Sequence, residues 1–109
     1  MQLIKAIVRP NKVDEVKEAL EKVGVTGMTV TEVRGHGQQK GHTAIYRGKE
    51  YAVSLLPKMQ IETVVADSDV DTIIRALVGA ARTGEIGDGR VYVTPVMQSY
   101  KIRTGERES

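Results

Sequence analysis

The sequence predicts an α+β domain in which two β-α-β units contribute to one antiparallel sheet. Short apolar runs alternate with two stretches of helical periodicity along the 109 residues, a length that suits one domain. Similar residues also recur 57 positions apart, so that Ile4 matches Ile61 and Leu20 matches Leu77. Two joined units of this kind give the ferredoxin-like β-α-β-β-α-β arrangement, which carries both helices on one face of the sheet.

The first unit begins with an apolar strand at residues 3–8, which Pro10 ends. Asn11, with Asp14 three positions later, is expected to cap the helix that follows. That helix is predicted from an apolar stripe at helical spacing, formed by Val13, Val16, Leu20 and Val23. Gly24 fits its C-terminal end. Residues 28–33 are rich in Thr and Val and predict the second strand.

The second unit repeats this plan. Residues 59–66 have strand character, and Ser68 with Asp71 forms a capping signature before the second helix. The stripe of that helix is Val70, Ile73, Ile74, Leu77, Val78 and Ala81. Residues 91–96 predict the last strand, and the tail beyond Tyr100 is polar and charged.

A long segment between the two units has a different character. Residues 35–56 combine four glycines with polar and charged side chains and show no sustained period of two or of 3.6. A loop of about twenty residues is uncommon in so small a domain and is usually functional or mobile. We therefore expect this segment to carry part of the function.

Composition restricts the class of protein. The chain has no Phe, no Trp and no Cys, so its core is built from small apolar residues and thiol chemistry is excluded. A thin core and a sheet with one uncovered face both favour self-association. No signal peptide or membrane span is expected, which indicates a cytoplasmic protein. Because the net charge is only +2 and no basic run occurs, nucleic-acid binding is not expected.

Residues 83–90, TGEIGDGR, form the strongest candidate binding motif. Glycines let backbone N–H groups approach an anion closely, and Arg90 adds a charged donor with two arms. The spacing is neither a Walker A motif nor a dinucleotide-binding fingerprint. The pattern by itself leaves open phosphate binding and a helix end that runs into a tight turn.

Other polar residues give weaker signals. His36 and His42 lie six positions apart without neighbouring acidic or thiol ligands, so we expect solvated histidines rather than a metal site. Tyr46 and Tyr51 suit either an interface or a modified hydroxyl. Lys58, at the far end of the long segment, is either solvated or placed to meet a carboxylate. No catalytic set can be assembled, and we expect a protein that is not an enzyme.

Four motifs together resemble the PII family of nitrogen signal-transduction proteins over residues 1–106. They are GMTVTEV at residues 27–33, QKGHT at 39–43 with the tyrosine-containing YRG and EY runs after it, AARTG at 80–84 with IGDG after it, and IRTGE at 102–106. The resemblance implies one domain, 1–109, with a regulatory T-loop at about 37–55, a B-loop at about 82–90 and a C-terminal loop at about 97–109. It also implies a homotrimer with ATP or ADP in the clefts between subunits.

The resemblance assigns binding residues to positions of this chain. The positions that it implies for the nucleotide are Thr29, Gly35, Gly37, Gln38, Glu62, Val64, Gly87, Asp88, Gly89, Arg90, Lys101 and Arg103. Those implied for 2-oxoglutarate are Arg9, Gly37, Gln39, Lys40, Gly41 and Lys58. Gln39 would also join the Mg²⁺ that bridges ATP and the 2-oxo acid, and Tyr51 matches a tyrosine that is nucleotidylylated in many members.

The implied function is to sense ATP, ADP and 2-oxoglutarate and to regulate partner proteins through the T-loop. Partners of the family include the ammonium channel, nucleotidylyltransferases, and enzymes and regulators of nitrogen metabolism. Such a protein would meet a membrane only through the channel. Among the positions that depart from the usual pattern, Gln38 and Lys101 each replace arginine, and Arg90 replaces lysine. The changes at Gln38 and Lys101 motivate one alternative, a degenerate relative that binds adenine nucleotides without sensing 2-oxoglutarate. A phosphotransferase with His36 or His42 as nucleophile is another.

Overall fold

The computed structural model describes residues 1–36, 43–46, 49–52 and 55–108, with backbone alone for 43–46 and 49–52. Its helices are α1 (Val13–Lys22) and α2 (Val70–Ala81). Its longer strands are β1 (Gln2–Val8), β2 (Thr29–Gly35), β5 (Leu56–Val65) and β6 (Arg90–Pro95). Its shorter strands are β3 (Thr43–Tyr46), β4 (Lys49–Ala52), β7 (Ser99–Tyr100) and β8 (Arg107–Glu108).

The four longer strands form one antiparallel sheet in the order β2-β5-β1-β6. The two helices pack against each other and cover one face of it. This is the β-α-β-β-α-β connectivity of the ferredoxin-like fold, so the predicted fold class is confirmed.

The core lies between that face and the helices, and the repeat in the sequence maps onto it. Ile4, Ala6 and Val8 alternate toward the helices along β1 and are at most 2% exposed. The repeat partners Ile4 and Ile61 are both buried, as are Leu20 and Leu77. Because each such side chain contributes roughly 1.5–3 kcal/mol when buried, both halves of the repeat stabilise one shared core.

The helix starts differ from the prediction. Asn11 and Ser68 are predicted to cap α1 and α2, but neither does so, because each lies inside a short 3-10 turn, at Pro10–Lys12 and Asp67–Asp69. The turn continues directly into the helix, and its first carbonyl accepts a backbone N–H from the first helical residue. No side-chain cap forms at either start, so backbone geometry replaces the predicted caps.

The end of α1 is as predicted. Gly24 has φ +93°, a conformation that residues with a Cβ rarely adopt. The N–H of Val25 donates to the carbonyl of Leu20 at 3.0 Å, and the N–H of Gly24 donates to that of Glu21 at 3.1 Å. This pair of bonds is a Schellman motif, and it satisfies carbonyls that the helix end leaves without partners.

The long segment and the tail contain strands that the sequence pattern does not predict. β3 pairs with β4 inside the segment predicted as a loop, and β7 pairs with β8 in the tail. Strands of two to four residues show too few alternations to be recognised from periodicity. The same segment joins the end of β2 to the start of β5, two neighbouring strands of the sheet.

The second face of the sheet is not covered by the helices. Leu3, Lys5 and Ile7 point to it, because their neighbours along β1 point to the core. Val64 and Tyr92, which share this face through the strand register, are 48% and 50% exposed. Within the described residues, neither helix has the length and apolar character needed to cross a membrane.

Candidate functional site

A cleft of about 510 Å³ lies at the end of the sheet where β1 and β2 end and β6 begins. It is lined by Ile7, Gly35, His36, Leu56, Lys58, residues 85–90 and Tyr92. This position suits a regulatory site, because β2 ends here and the chain continues into residues 36–55. Any ligand in the cleft would touch the base of that segment.

The cleft brings together half of the described residues that the resemblance implies for the two ligands. Gly35 and residues 87–90 come from the nucleotide set, and Lys58 comes from the 2-oxoglutarate set. Arg9, the residue that follows β1, contacts the same loop. Its Nε donates to Asp88 at 3.0 Å, and its Nη2 donates to the Ile86 carbonyl at 2.9 Å. Lys58 Nζ donates to the Gly87 carbonyl at 2.7 Å.

Gly89 lies directly against β1. A Cβ at this position would lie 1.7 Å from the Ile7 carbonyl oxygen, and its φ of +99° is unfavourable for any residue with a Cβ. Only glycine therefore allows the loop to meet the strand here. This close approach brings residues 87–90 onto the open end of the sheet, beside Lys58 on β5.

The loop is closed by one carboxylate. Asp88 accepts hydrogen bonds from the N–H groups of Thr83 and Gly84 at 2.8 Å each, from the Thr83 hydroxyl, and from Arg9. The Thr83 hydroxyl, followed by Arg9 and the two backbone N–H groups, holds the pKa of Asp88 well below its usual range against the opposing effect of desolvation. Asp88 is thus charged at neutral pH and fully engaged within its own chain.

Lys58 has an electrostatic environment suited to an anion. Partial burial, followed by repulsion from Arg9, lowers the pKa of Lys58, while Asp88 opposes that shift. A cation whose charged form is disfavoured gains more than an exposed one when an anion arrives. The three cations Arg9, Lys58 and Arg90 outnumber the acids Glu85 and Asp88, and Asp88 is already paired with Arg9.

The other described residues of the predicted nucleotide set do not line this cleft. Thr29 pairs with Glu62, which pairs with Lys5 in the middle of β1, and Val64 pairs with Leu3 near the start of β1. Val64 and Lys101 line a second cleft, of about 490 Å³, beside the N-terminus and β8. Leu3 and Ile7 are four residues apart on β1, which is about 13 Å at 3.3 Å per residue. Within one chain, Val64 and Lys101 therefore lie well apart from residues 87–90. Arg103 lies exposed in the turn between β7 and β8.

Several predicted positions fall outside the described residues. These are Gly37, Gln38, Gln39, Lys40 and Gly41, and His42 of the alternative enzyme hypothesis. Tyr51 lies on β4, where the backbone alone is described.

Thr83, Ile7 and Tyr92 belong to the site although the sequence analysis does not select them as site residues. Thr83 stands at the head of the glycine motif, and its position five residues before Asp88 is the one signal that could have indicated a closed loop. Ile7 and Tyr92 lie on β1 and β6 and reach the cleft through the strand register. No local pattern predicts that.

The whole chain is similar to known regulatory proteins. The family model "Nitrogen regulatory protein P-II" matches residues 1–106. A Nitrogen regulatory protein P-II of Azospirillum brasilense is 57% identical over 107 residues, which cover 98% of this chain and 96% of the relative. One of Rhizobium etli is 53% identical over 109 residues, covering 100% and 97%. Nitrogen regulatory protein P-II 1 of Escherichia coli (strain K12) is 55% identical over 108 residues, covering 99% and 96%.

Proposed function

Because the chain belongs to the nitrogen regulatory protein P-II family, we propose that it senses ATP or ADP together with 2-oxoglutarate and regulates proteins of nitrogen metabolism. Its relatives are named as regulatory proteins, which points to a regulator rather than an enzyme. The signal would leave through the T-loop, about residues 37–55, and the B-loop and C-terminal loop, about 82–90 and 97–109, would serve the ligands. We place the protein in the cytoplasm.

One observation carries the proposal: the cationic cleft lies at the base of the T-loop. Lys58 and Arg90 line it, Arg9 adjoins it, and Gly89 keeps the loop backbone against β1. A triphosphate and a dicarboxylate carry several negative charges, which such a cleft can balance. Because β2 and β5 lead from the cleft into the T-loop, a bound ligand can select among loop conformations that a partner reads.

The nucleotide would lie between two copies of the chain. Residues 87–90 of one copy would hold its phosphates, while Thr29, Glu62, Val64, Lys101 and Arg103 of the next would complete the pocket. The separation of Val64 and Lys101 from residues 87–90 within one chain supports a shared site. The exposed Val64 and Tyr92 on the uncovered sheet face give a second copy an apolar surface to cover. The assembly that we propose is the homotrimer implied by the family resemblance.

The 2-oxoglutarate would lie beside Lys58 and Arg9. A carboxylate would pair with Lys58, and backbone N–H groups of Gly37, Lys40 and Gly41 would complete the pocket. Gln39 would share the Mg²⁺ with oxygens of ATP and of the 2-oxo acid. The cations present fit a dicarboxylate, because Lys58 is partly buried and its charged form gains from a new anionic partner. Gln38 and Lys101 each replace arginine, and these changes motivate the alternative function that lacks 2-oxoglutarate sensing.

Calorimetric titration tests the two ligands separately. The protein should bind ATP with Mg²⁺, and 2-oxoglutarate only when Mg-ATP is present. Succinate, which lacks the 2-oxo group, should not replace it. ATP binding without a 2-oxoglutarate response would instead establish the alternative function, a nucleotide-binding relative that has lost the second signal. Absence of ATP binding would contradict both.

A lysine substitution tests the assignment of the dicarboxylate pocket. Lys58→Met should weaken 2-oxoglutarate binding by at least about tenfold, the value of one charge-assisted hydrogen bond, and change ATP binding by less than about threefold. Lys17→Met removes the same charge from the exposed face of α1 and is the matched control. Wild-type 2-oxoglutarate affinity in Lys58→Met would place the ligand elsewhere.

Mixed trimers test the site between copies. Arg90→Ala and Lys101→Ala should each weaken ATP binding when expressed alone. Trimers that contain both variants should regain some sites with wild-type affinity, because one interface then joins an intact Arg90 to an intact Lys101. A site within one chain would show no recovery.

Two further experiments test the regulatory output. Deletion of residues 42–53 should retain nucleotide binding and abolish regulation of partners such as an ammonium channel, a nucleotidylyltransferase or a nitrogen-responsive regulator. Persistence of regulation would exclude the T-loop model. Mass spectrometry of protein from nitrogen-starved cells should find Tyr51 nucleotidylylated, and an unmodified Tyr51 would remove that step.

A further inference from the structure

The carboxylate of Asp88 forms hydrogen bonds that stabilise its own loop. Its Oδ2 accepts the N–H groups of Thr83 and Gly84, and its Oδ1 accepts the Thr83 hydroxyl and Arg9 Nε. Both oxygens are thus occupied by donors of the same chain. A carboxylate also repels phosphate, so the part that residue 88 plays in holding phosphates would come from its backbone N–H and not from its side chain.

The Thr83 hydroxyl is both a hydrogen-bond donor and a hydrogen-bond acceptor. It donates to Asp88 and accepts the N–H of Glu85 at 3.1 Å. The bonds between Thr83 and Asp88 join the two ends of the turn that contains Gly84 and Gly87. The turn leads from the end of α2 to Gly89 and Arg90, which lie against Ile7 of β1, so these bonds set the shape of the loop before that contact.

Arg9 connects this turn to the other ligand pocket. Its guanidinium spans Asp88 and the Ile86 carbonyl, and the side chains of Arg9 and Asp88 are only 20% and 24% exposed. Lys58 donates to the next carbonyl, that of Gly87. The orientation of both cations proposed for 2-oxoglutarate is therefore set by the same turn that positions the phosphate-binding residues.

We propose that Thr83 and Asp88 are positioning residues, which together with Arg9 form a clasp that shapes residues 83–90 for phosphate and holds Arg9 for the dicarboxylate. Through its hydrogen bonds, this clasp, Thr83–Asp88–Arg9, connects the phosphate-binding loop to the dicarboxylate pocket. The inference rests on the proposed function, and it assigns Asp88 and Arg9 a role within the chain in addition to, or in place of, contact with a ligand.

The clasp links the affinities of the two ligands. A turn held in shape for one ligand is also held in shape for the other, which adds to the coupling that the shared Mg²⁺ would supply. By linkage, the factor by which 2-oxoglutarate tightens ATP equals the factor by which ATP tightens 2-oxoglutarate. Opening the clasp should therefore reduce this factor as well as the affinity for ATP.

Thr83→Val tests the hydroxyl with little change of shape. It should weaken ATP binding by about tenfold and reduce the coupling factor by a similar amount, since a hydrogen bond to a charged group is lost. Thr83→Ser should restore both, and Thr83→Ala is a second variant without the hydroxyl. Thr72→Val, on the exposed side of α2, is the matched control and should behave as wild type. A residue with a merely structural role would lower the melting temperature and leave the coupling factor unchanged.

A measurement without ligand separates failure of the clasp from failure of the proposed function. In NMR titration of the unliganded wild type, the Asp88 carboxyl should have a pKa below the usual range of aspartate, and Thr83→Val should raise it. An Asp88 that titrates normally in the wild type overturns the clasp whatever the variants do. Wild-type ATP affinity and coupling in a folded Thr83→Val would also overturn it. A low Asp88 pKa in a protein that binds no ATP would refute the proposed function and, with it, the positioning role, while leaving the Asp88 contacts established.

Discussion

Replacement of Gly89 by alanine should be the most damaging single change in the phosphate loop. The added Cβ would lie 1.7 Å from the Ile7 carbonyl oxygen and 2.8 Å from its carbon. Both are backbone atoms of a central strand that is paired on both sides, so they cannot move aside cheaply. Relief of the overlap requires the loop itself to shift by more than about 1 Å.

Two energies add in this variant. A residue with a Cβ at φ +99° costs roughly 1–3 kcal/mol. Overpacking against the strand costs about 1–3 kcal/mol more. The free energy of unfolding should therefore fall by about 2–6 kcal/mol, which lowers the melting temperature by about 10–25 °C in a chain of this size. ATP binding should weaken along with it, because the displaced segment carries Arg90.

Two other glycines provide the controls. Gly84 has φ +90° but nothing within 4 Å of an added Cβ, so Gly84→Ala isolates backbone strain, about 1–2 kcal/mol. Gly79 lies in α2 with open space around it, so Gly79→Ala should stabilise the protein by about 0.5–1 kcal/mol. The assay is thermal unfolding at one fixed protein concentration, since an oligomer melts in a concentration-dependent way. Equal melting temperatures for Gly89→Ala and Gly84→Ala would refute the argument from the Ile7 contact.

The other predictions concern acid, the core and the helix starts. Because the pKa of Asp88 is depressed in the folded state, its contribution to stability is present above the ordinary pKa of about 3.9 and is lost as the pH falls through the folded value. Chemical denaturation should therefore show a smaller difference in unfolding free energy between pH 6 and pH 3 for Asp88→Asn than for wild type. Leu77→Ala and Leu20→Ala should each cost about 2–5 kcal/mol, because both side chains are buried at equivalent places in the repeat; a loss below 1 kcal/mol in either, measured by urea unfolding, would contradict that equivalence. Asn11→Ala should change the unfolding free energy by less than about 0.5 kcal/mol, and a loss near 1 kcal/mol would show that Asn11 caps α1 after all.

The architecture could be predicted because the repeat and the two periodicities are local properties of the chain. Leu20 and Leu77 mark the buried faces of α1 and α2, and Ile4 and Ile61 mark the buried faces of β1 and β5. Two units with the same pattern have few ways to share one sheet. The helix starts could not be predicted in the same way, since a 3-10 turn that runs into a helix removes the need for a side-chain cap and leaves no mark at Asn11 or Ser68.

The site was predictable in part. The glycine motif at residues 83–90 and Lys58 were selected from the sequence, and both lie on one cleft. Thr83 belongs to that motif but received no role of its own, because its role depends on a hydrogen bond to Asp88 that closes the turn. The contact of Gly89 with Ile7 joins residues far apart in the chain and has no local signature.

The sequence by itself determined the class of fold, the family and the residue types of an anion site, since periodicity, repeats and short motifs survive without knowledge of contacts. Only the tertiary structure decided which of those residues meet. It brings Arg9, Lys58 and residues 87–90 to one end of the sheet and leaves Val64 near the other, with Thr29 and Glu62 in the middle. The physical reason is strand register: in an antiparallel sheet, the pairing of β1 with β5 and β6 decides which distant residues share an end, and no short stretch of chain contains that information.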